Sequence, residues 1–281
     1  MQDFSGKVAV VTGGGSGMGR AFATRFAEEG MKVVLGDIQQ DALDATLEDL
    51  SAKGHDVRGI RIDVSRPEDI QRLADTALDA FGKVHVVCNN AGVEGYMDGP
   101  IWEATDKDWQ WTTGVNFWSV VYGVRTFVPI MLAQDDEGHV VNTASMTAVV
   151  RAGNMYGITK HAVLALSEIM YAQLQDTKVG VSALCPGIIA TRIFQGSRNR
   201  PPELRNDKEP SGSAQGDEHR RMMHERLQQG MQPSEVADIL VRAIREGRFY
   251  VLTDHEWDDR IKARMQDILE WRNPELGVAG R

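Results

Sequence analysis

The chain has 281 residues, and its 31 lysines and arginines against 40 aspartates and glutamates give a formal net charge of −9 with neutral histidine. Hydrophobic residues make up 42% of the chain, which is enough for a packed core and excludes a wholly disordered protein. The acidic balance argues against a nucleic-acid-binding protein, because phosphate contacts require clustered lysines and arginines.

Short runs of β-branched residues alternate along the chain with segments of helical periodicity. Strands that are apolar on both faces are typical of a parallel sheet covered by helices on each side. The pattern therefore predicts a single doubly wound α/β domain over residues 1–281, with a mostly or fully parallel sheet flanked by helices. The predicted strands are 7–11, 32–35, 57–62, 84–88, 139–143, 179–184 and 249–252, and the longest predicted helices are 108–134 and 154–175.

The first predicted strand ends in a glycine-rich turn, TGGGSGMG at 12–19, and a helical pattern follows directly. Glycines let the chain turn sharply, so that backbone N–H groups can approach a phosphate. The N-terminus of the following helix adds a partial positive charge. This arrangement predicts a pyrophosphate site, although the spacing is TGxxxGxG and departs from the common GxGxxG pattern.

The next two strands carry acidic residues at their carboxyl ends. A carboxylate at Asp37 can accept hydrogen bonds from ribose hydroxyls and would repel a 2′-phosphate. Neither Ser16 nor Ile38 supplies a compensating cation, so the sequence predicts NAD as the cofactor. Asp63, followed by Val64, could accept a hydrogen bond from an adenine amino group.

A tyrosine and a lysine stand four positions apart in the motif YGITK at 156–160, near the start of a predicted helix. Residues with this spacing share one face of a helix, so the Tyr156 phenol and the Lys160 ammonium are expected to be neighbours. Free tyrosine has a pKa near ~10, and an adjacent positive charge would lower it. Such a tyrosine can take a proton from an alcohol or return one to an alkoxide.

Residues 195–232 interrupt the alternation of strands and helices, since they are rich in proline, glycine, serine and charge. They follow the sixth predicted strand, and the ligand crevice of a doubly wound sheet lies beyond the carboxyl ends of its strands. We favour a mobile substrate lid for this insertion over the alternative of a disordered loop.

Several ordered motifs resemble those of the short-chain dehydrogenase/reductase family, from residue 7 to about residue 191. They are TGGGSGMG at 12–19, Asp37, DV at 63–64, NNAG at 89–92, Asn116, Ser145, YGITK at 156–160 and PGIIAT at 186–191. Two features depart from the family's usual pattern. Ser145 precedes Tyr156 by eleven residues, where twelve or thirteen are commoner, and the insertion at 195–232 is long.

The resemblance implies a Rossmann-type fold and a catalytic set of four residues. In that set Tyr156 is the acid/base, Ser145 orients the substrate oxygen, Lys160 lowers the pKa of the tyrosine and holds the nicotinamide ribose, and Asn116 maintains a proton-relay water. The residues expected to bind the cofactor are Gly13, Ser16, Gly17, Met18, Gly19, Asp37, Asp63, Val64, Asn90, Gly92, Tyr156, Lys160, Pro186, Gly187, Ile189 and Thr191.

The predicted reaction is reversible hydride transfer between NAD(H) and a secondary alcohol or ketone. Aromatic residues and methionines near the inferred pocket favour a sizeable apolar or aromatic substrate. The residues expected around this pocket are Tyr96, Met97, Trp102, Asn154, Met155, Ile188 and Phe194. Two alternatives remain open, a reductase of 3-oxoacyl thioesters and a non-catalytic NAD-sensing module.

Other features of the sequence limit partners and location. Cys88 and Cys185 lie in apolar runs and are predicted to be buried free thiols, and the scattered histidines predict no metal site. No basic leader and no apolar run of ~18 residues is present, so we expect a cytoplasmic protein that binds neither membranes nor nucleic acids. The family resemblance implies a homodimer or homotetramer.

Overall fold

The computed structural model describes residues 1–97, 99–151, 153–207 and 214–274. Residues 208–213 of the predicted lid, and residues 275–281 of the predicted domain, lie outside the described residues.

Seven parallel strands form one sheet in the order β3-β2-β1-β4-β5-β6-β7. Strands β1, β4 and β5 are buried along their whole length because their valines face helices on both sides. The prediction of a doubly wound sheet is confirmed, and the sheet is fully parallel. The strands are β1 Val8–Thr12, β2 Lys32–Asp37, β3 Val57–Arg61, β4 Val86–Asn89, β5 Gly138–Thr143, β6 Val179–Cys185 and β7 Tyr250–Leu252.

Helices cover both faces of this sheet through two separate apolar layers. Helices α1, α2 and α8 contribute to one layer, and helices α3, α5 and α6 contribute to the other. The helices are α1 Gly17–Glu28, α2 Gln40–Ala52, α3 Pro67–Phe81, α4 Asp106–Thr113, α5 Ser119–Ala133, α6 Met155–Gln173, α7 Ala214–Gln228, α8 Pro233–Glu246 and α9 Asp258–Leu269.

The predicted helix 108–134 is not one regular α-helix. A π-helical turn, Gly114–Trp118, separates α4 from α5 and carries Asn116. Such turns are frequent at functional sites, and the apolar periodicity on either side does not reveal them.

The combined stretch Asp106–Ala133 is, by length and composition, the one helical segment of the described chain that could span a membrane. Its most apolar 18-residue window has a mean hydropathy of 1.3. Core helices of globular proteins pass the same test, and Phe127 and Met131 of α5 are buried in the layer beneath the sheet.

The strand order reverses between β1 and β4, which opens a crevice at their carboxyl ends. Thr12 ties the two strand ends together, because its Oγ1 accepts hydrogen bonds from the backbone N–H of Asn90 at 2.9 Å and of Ala91 at 3.1 Å. The loops that follow β1, β2, β4, β5 and β6 therefore converge on one edge of the sheet.

Candidate active site

The glycine turn after β1 is closed so tightly that its backbone leaves no room for side chains at key positions. Gly13 has φ +69°, a left-handed conformation that favours glycine. A Cβ atom at Gly19 would lie 2.0 Å from the carbonyl oxygen of Gly13. Ser16 is the N-cap of α1 and makes no side-chain cap hydrogen bond. The first turn of α1 therefore presents N–H groups and the positive end of its dipole to the cleft, as an anion requires.

Asp37 is fixed at the end of β2 by two backbone groups. Its Oδ2 accepts a hydrogen bond from Gly15 N at 2.8 Å, and its Oδ1 accepts one from Gln39 N at 2.9 Å. The residue is 8% exposed and lines the cleft. Asp63 also lines the cleft, and its Oδ1 accepts hydrogen bonds from the backbone N–H and the hydroxyl of Ser65.

Helix α6 brings the predicted tyrosine and lysine into the same cleft. Asn154 begins the helix by accepting a hydrogen bond from Gly157 N on its side chain at 3.1 Å. Lys160 is 2% exposed, and its Nζ donates to Thr143 O at 2.7 Å. The same Nζ lies 5.4 Å from the centre of the Tyr156 ring. Tyr156 is hydrogen-bonded to Ser145, which follows β5.

Burial dominates the proton affinities of this pair. It raises the pKa of Tyr156 to about 12, against the smaller lowering effect of the Ser145 hydrogen bond, and it lowers the pKa of Lys160 to about 8. The sequence led us to expect a lowered tyrosine pKa. In the structure the pKa of Tyr156 is raised instead, because burial desolvates the phenol.

Asn116 uses its side chain to join two loops. Its Oδ1 accepts a hydrogen bond from Val93 N at 2.8 Å, and its Nδ2 donates to Val93 O at 2.9 Å and to Thr159 Oγ1 at 3.2 Å. It therefore connects the segment after β4 with the first turn of α6.

Most of the predicted cofactor residues line one cleft. These are Gly13, Ser16, Gly17, Met18, Asp37, Asp63, Val64, Asn90, Gly92, Tyr156, Lys160 and Thr191. The remaining predicted site residues are not among those that line it, and four of them are Gly19, Asn116, Ser145 and Gly187. Gly187 N donates to Thr253 Oγ1 at 2.9 Å.

Two further predicted contacts lie beside the cleft in the backbone that follows β6. Pro186 O accepts a hydrogen bond from Met146 N at 2.9 Å, and Ile189 pairs with Met231 in an isolated β-bridge.

The apolar part of the cleft wall differs from the expected one. None of the seven residues proposed for the substrate pocket is among the residues that line the cleft. Trp102 is 82% exposed, whereas Tyr96 and Met155 are buried. The larger apolar side chains that do line the cleft are Ile38, Ile62, Val93, Trp111, Val115 and Ile193, together with Met18 and Val64, which were predicted as cofactor contacts.

A segment after β6, residues 193–207, lies along the same cleft, and we call it the covering segment. It contains two 3₁₀-helical stretches, Ile193–Asn199 and Pro202–Leu204. Ile193, Gly196, Arg198, Asn199 and Pro201 line the cleft. The sequence indicated an insertion here but not these contacts.

Two buried carboxylates anchor the covering segment. Asp108, the third residue of α4, accepts a hydrogen bond from Arg200 Nη1 at 2.7 Å and another from Asn206 Nδ2 at 3.1 Å. The Arg200 guanidinium also lies 5.1 Å from the centre of the Trp111 ring. Glu94 Oε1 accepts a hydrogen bond from Ser197 N at 3.3 Å.

Glu94 is a carboxyl that the sequence analysis did not single out. It is 4% exposed, and burial raises its pKa to about 7. Its Oε2 is buried without a hydrogen-bond partner, and a Cβ atom at Gly196 would lie 2.3 Å from that oxygen. A side chain at position 196 would therefore displace the Glu94 carboxyl where the covering segment crosses it.

Within the described ranges no cluster of three or more His, Cys, Asp or Glu side chains could hold a metal ion. Cys88 and Cys185 are free and buried, as predicted.

Comparisons with known proteins agree with this geometry. A family model for short chain dehydrogenases matches residues 7–202. The 1-deoxy-11-beta-hydroxypentalenate dehydrogenase of Streptomyces exfoliatus is 37% identical over 272 residues, which cover 96% of this chain and 90% of that protein. The 3beta-hydroxysteroid dehydrogenase 2 of Eggerthella lenta is 34% identical over 214 residues, which cover 75% of this chain and 81% of that protein.

A solved structure extends the similarity to the whole fold. The crystal structure of a short chain dehydrogenase/reductase from Burkholderia phymatum in complex with NAD has a TM-score of 0.95 and 43% sequence identity. The comparison covers 100% of both chains.

Proposed function

The chain belongs to the short-chain dehydrogenase/reductase family and is an NAD(P)-linked oxidoreductase that acts on CH–OH groups. From this premise we propose that it prefers NAD(H) and oxidises a sizeable apolar secondary alcohol reversibly. One observation carries the proposal: Asp37, Tyr156 and Lys160 line a single cleft. That cleft joins a site suited to a dinucleotide with a site suited to proton transfer.

The residues at the glycine turn fit the proposed cofactor. Uncapped N–H groups at the start of α1 can hold a pyrophosphate without basic side chains. Asp37 can accept hydrogen bonds from the adenosine ribose hydroxyls and disfavours a 2′-phosphate through like-charge repulsion. When bound, the nicotinamide supplies or accepts the hydride.

Proton transfer is assigned to Tyr156 and its neighbours. Ser145 and Tyr156 would hold the substrate hydroxyl, and the Tyr156 oxygen would take its proton during oxidation and return it during reduction. The Lys160 Nζ lies 5.4 Å from the centre of the Tyr156 ring, so that its positive charge can stabilise the phenolate. Asn116 positions the loop after β4 and the first turn of α6.

The apolar lining supports a sizeable substrate. Val93, Trp111, Val115 and Ile193 offer hydrocarbon surface beside Tyr156 and little hydrogen-bonding capacity. The printed names of two relatives refer to a hydroxypentalenate and a hydroxysteroid, which agrees with a preference for bulky carbon frameworks.

The covering segment supports a role for residues 195–232 as a substrate lid within a single catalytic domain. Contacts with Glu94 and Asp108 hold it against the cleft that carries Tyr156. Closing such a segment excludes water from the reacting groups.

We also propose a cytoplasmic homodimer or homotetramer. Free buried cysteines are typical of a reducing compartment. Exposed apolar residues on the helical faces, Trp118, Ile158, Ile169 and Tyr171, support self-association. Sedimentation equilibrium tests the oligomer, and a monomer at micromolar concentration would contradict it.

A panel of alcohols with the wild type, Tyr156→Phe and Tyr171→Phe tests the proposed reaction. We expect NADH formation with bulky secondary alcohols by the wild type, and a loss of kcat of about 1,000-fold in Tyr156→Phe because the proton acceptor is gone. Tyr171 is an exposed tyrosine of the same helix and serves as the control. NADH binding without turnover of any alcohol would favour a sensor, and activity only on 3-oxoacyl thioesters would favour that alternative.

A further inference from the structure

The covering segment reaches the half of the cleft that holds Asp37. Arg198 lines the cleft together with Asp37, Ile38 and Gln39. Its Nη2 donates a hydrogen bond to Gln39 Oε1 at 2.9 Å, although the two residues are 159 positions apart in the sequence. A cation from the covering segment therefore stands at the edge of the proposed adenosine site.

Arg198 and Asp37 are connected through the loop after β2. Gln39, which accepts from Arg198 on its side chain, donates its backbone N–H to Asp37 Oδ1 at 2.9 Å. Arg192 and the carboxylates of Glu94, Asp37 and Asp41 all act electrostatically on the Arg198 guanidinium, and the three carboxylates favour its charged form. The repulsive field that Asp37 presents to a 2′-phosphate is thus partly offset by a positive charge that local sequence does not supply.

We propose that Arg198 is a specificity-determining residue for the cofactor. Its guanidinium releases Gln39 and binds the 2′-phosphate of NADP(H). The enzyme prefers NAD(H) but therefore keeps a measurable affinity for NADP(H). The inference rests on the proposed NAD preference. Arginine suits this role because its planar guanidinium donates paired hydrogen bonds to phosphate oxygens. Its exposed position allows the exchange without rearrangement of the core.

Two other arginines near the site are less suitable and provide controls. Arg61 donates from Nε to Ile38 O at 3.0 Å, and it is not among the residues that line the cleft. Arg192 does line the cleft, but it follows Thr191, whose Cγ2 is the nearest atom to a Cβ built at Gly17. Arg192 also acts electrostatically on Arg198, so Arg192→Met measures how much of any selective loss follows from removing a positive charge from the cleft in general.

Fluorescence titration of the full-length protein with NADH and with NADPH tests the proposal without requiring a substrate. For Arg198→Met we expect the Kd of NADPH to rise about 10-fold and the Kd of NADH to change less than about twofold. Arg198→Lys should lie between this variant and the wild type, and the selective loss should shrink as salt concentration rises. Arg61→Met should leave the ratio of the two Kd values unchanged, and Arg192→Met should change that ratio less than Arg198→Met does.

A second pair of variants separates Arg198 from Asp37. Asp37→Ala should strengthen NADPH binding about 10-fold because the repulsion is removed. Adding Arg198→Met to Asp37→Ala should abolish most of that gain. An equal effect of Arg198→Met on both dinucleotides, a selective loss in Arg61→Met instead, or no measurable NADPH binding by the wild type would overturn the proposal. Failure of the wild type to bind NADH would instead overturn the proposed cofactor preference.

Discussion

The glycine turn and the covering segment meet in one cleft, but they are built in different ways. The turn is made by neighbours in sequence: Gly13 to Gly19 fold back on themselves, and Gly15 N bonds Asp37 only 22 positions away. The covering segment depends on distant partners, since Ser197 bonds Glu94 across 103 positions and Arg200 bonds Asp108 across 92. Local geometry thus determines where the cofactor would lie, and long-range polar contacts determine what covers it.

Gly19→Ala should produce the largest effect, because it disrupts the glycine turn, which is built by neighbours in sequence. The new Cβ would lie 2.0 Å from a backbone oxygen that cannot move independently of the turn. We expect the Kd of NADH to rise at least about 100-fold and the thermal midpoint to fall. Fluorescence titration and thermal unfolding measure both quantities.

Gly114→Ala is the matched control, since Gly114 has helical dihedral angles and a Cβ there would make an ordinary 3.4 Å contact. Near-normal NADH binding by a folded Gly19→Ala protein would contradict the structural account of the turn.

Arg200→Met should have a smaller effect that is confined to the covering segment. Removing one partner of a buried ion pair costs about 3 kcal/mol, and here it leaves Asp108 with only neutral partners. We expect KM for a bulky alcohol to rise about 10-fold while the Kd of NADH changes less than about threefold. Steady-state kinetics and NADH titration separate the two effects.

Arg205→Met changes an exposed arginine of the same segment and should leave both constants unchanged. If Arg200→Met weakens NADH binding as strongly as it raises KM, the two regions are not independent.

Glu94→Gln should have the smallest effect on substrate and cofactor binding, and it should instead change the pH dependence of stability. A carboxyl whose pKa is higher in the folded chain than in the unfolded chain stabilises the fold below its ordinary pKa, and this contribution is lost as pH rises through the folded value. For Glu94 the interval runs from 4.5 to about 7 and corresponds to about 3 kcal/mol. The wild type should therefore lose stability relative to Glu94→Gln between pH 4.5 and about 7.

Denaturant unfolding at several pH values measures this difference. Glu103→Gln, which changes an exposed carboxylate nearby, serves as the control and should follow the wild type. Parallel pH profiles for the wild type and Glu94→Gln would show that Glu94 does not titrate in this interval. Arg198 and Arg220 act electrostatically on Glu94, so the measurement should be made at moderate salt.

The sequence predicted the parts of the molecule that depend on short-range patterns. Alternating apolar runs indicated the sheet, and the spacing of Tyr156 and Lys160 placed both groups on one helix face that the structure directs into the cleft. The π-helical turn at Asn116 escaped prediction because a single turn of five residues is too short to be recognised from apolar periodicity. The contacts of Glu94, Arg198 and Arg200 could not be predicted from the sequence because each is made with a partner far away in sequence.

The pKa of Tyr156 also could not be predicted from local sequence. Sequence spacing indicated a nearby cation, whereas burial, which raises the pKa of Tyr156 to about 12, depends on the packing of the whole site. Similarly, the expected pocket residue Trp102 is exposed, and Trp111 takes its place in the cleft wall.

The most direct test of the central claim follows the hydrogen atom itself. A bulky secondary alcohol that carries deuterium on its carbinol carbon is mixed with NAD and the wild-type enzyme, and the NADH formed is analysed by mass spectrometry. The account predicts one deuterium on the nicotinamide in the wild type, and almost no labelled NADH from Tyr156→Phe, which should still bind NADH. Labelled NADH formed at an undiminished rate by Tyr156→Phe, or unlabelled NADH from the wild type, would contradict it.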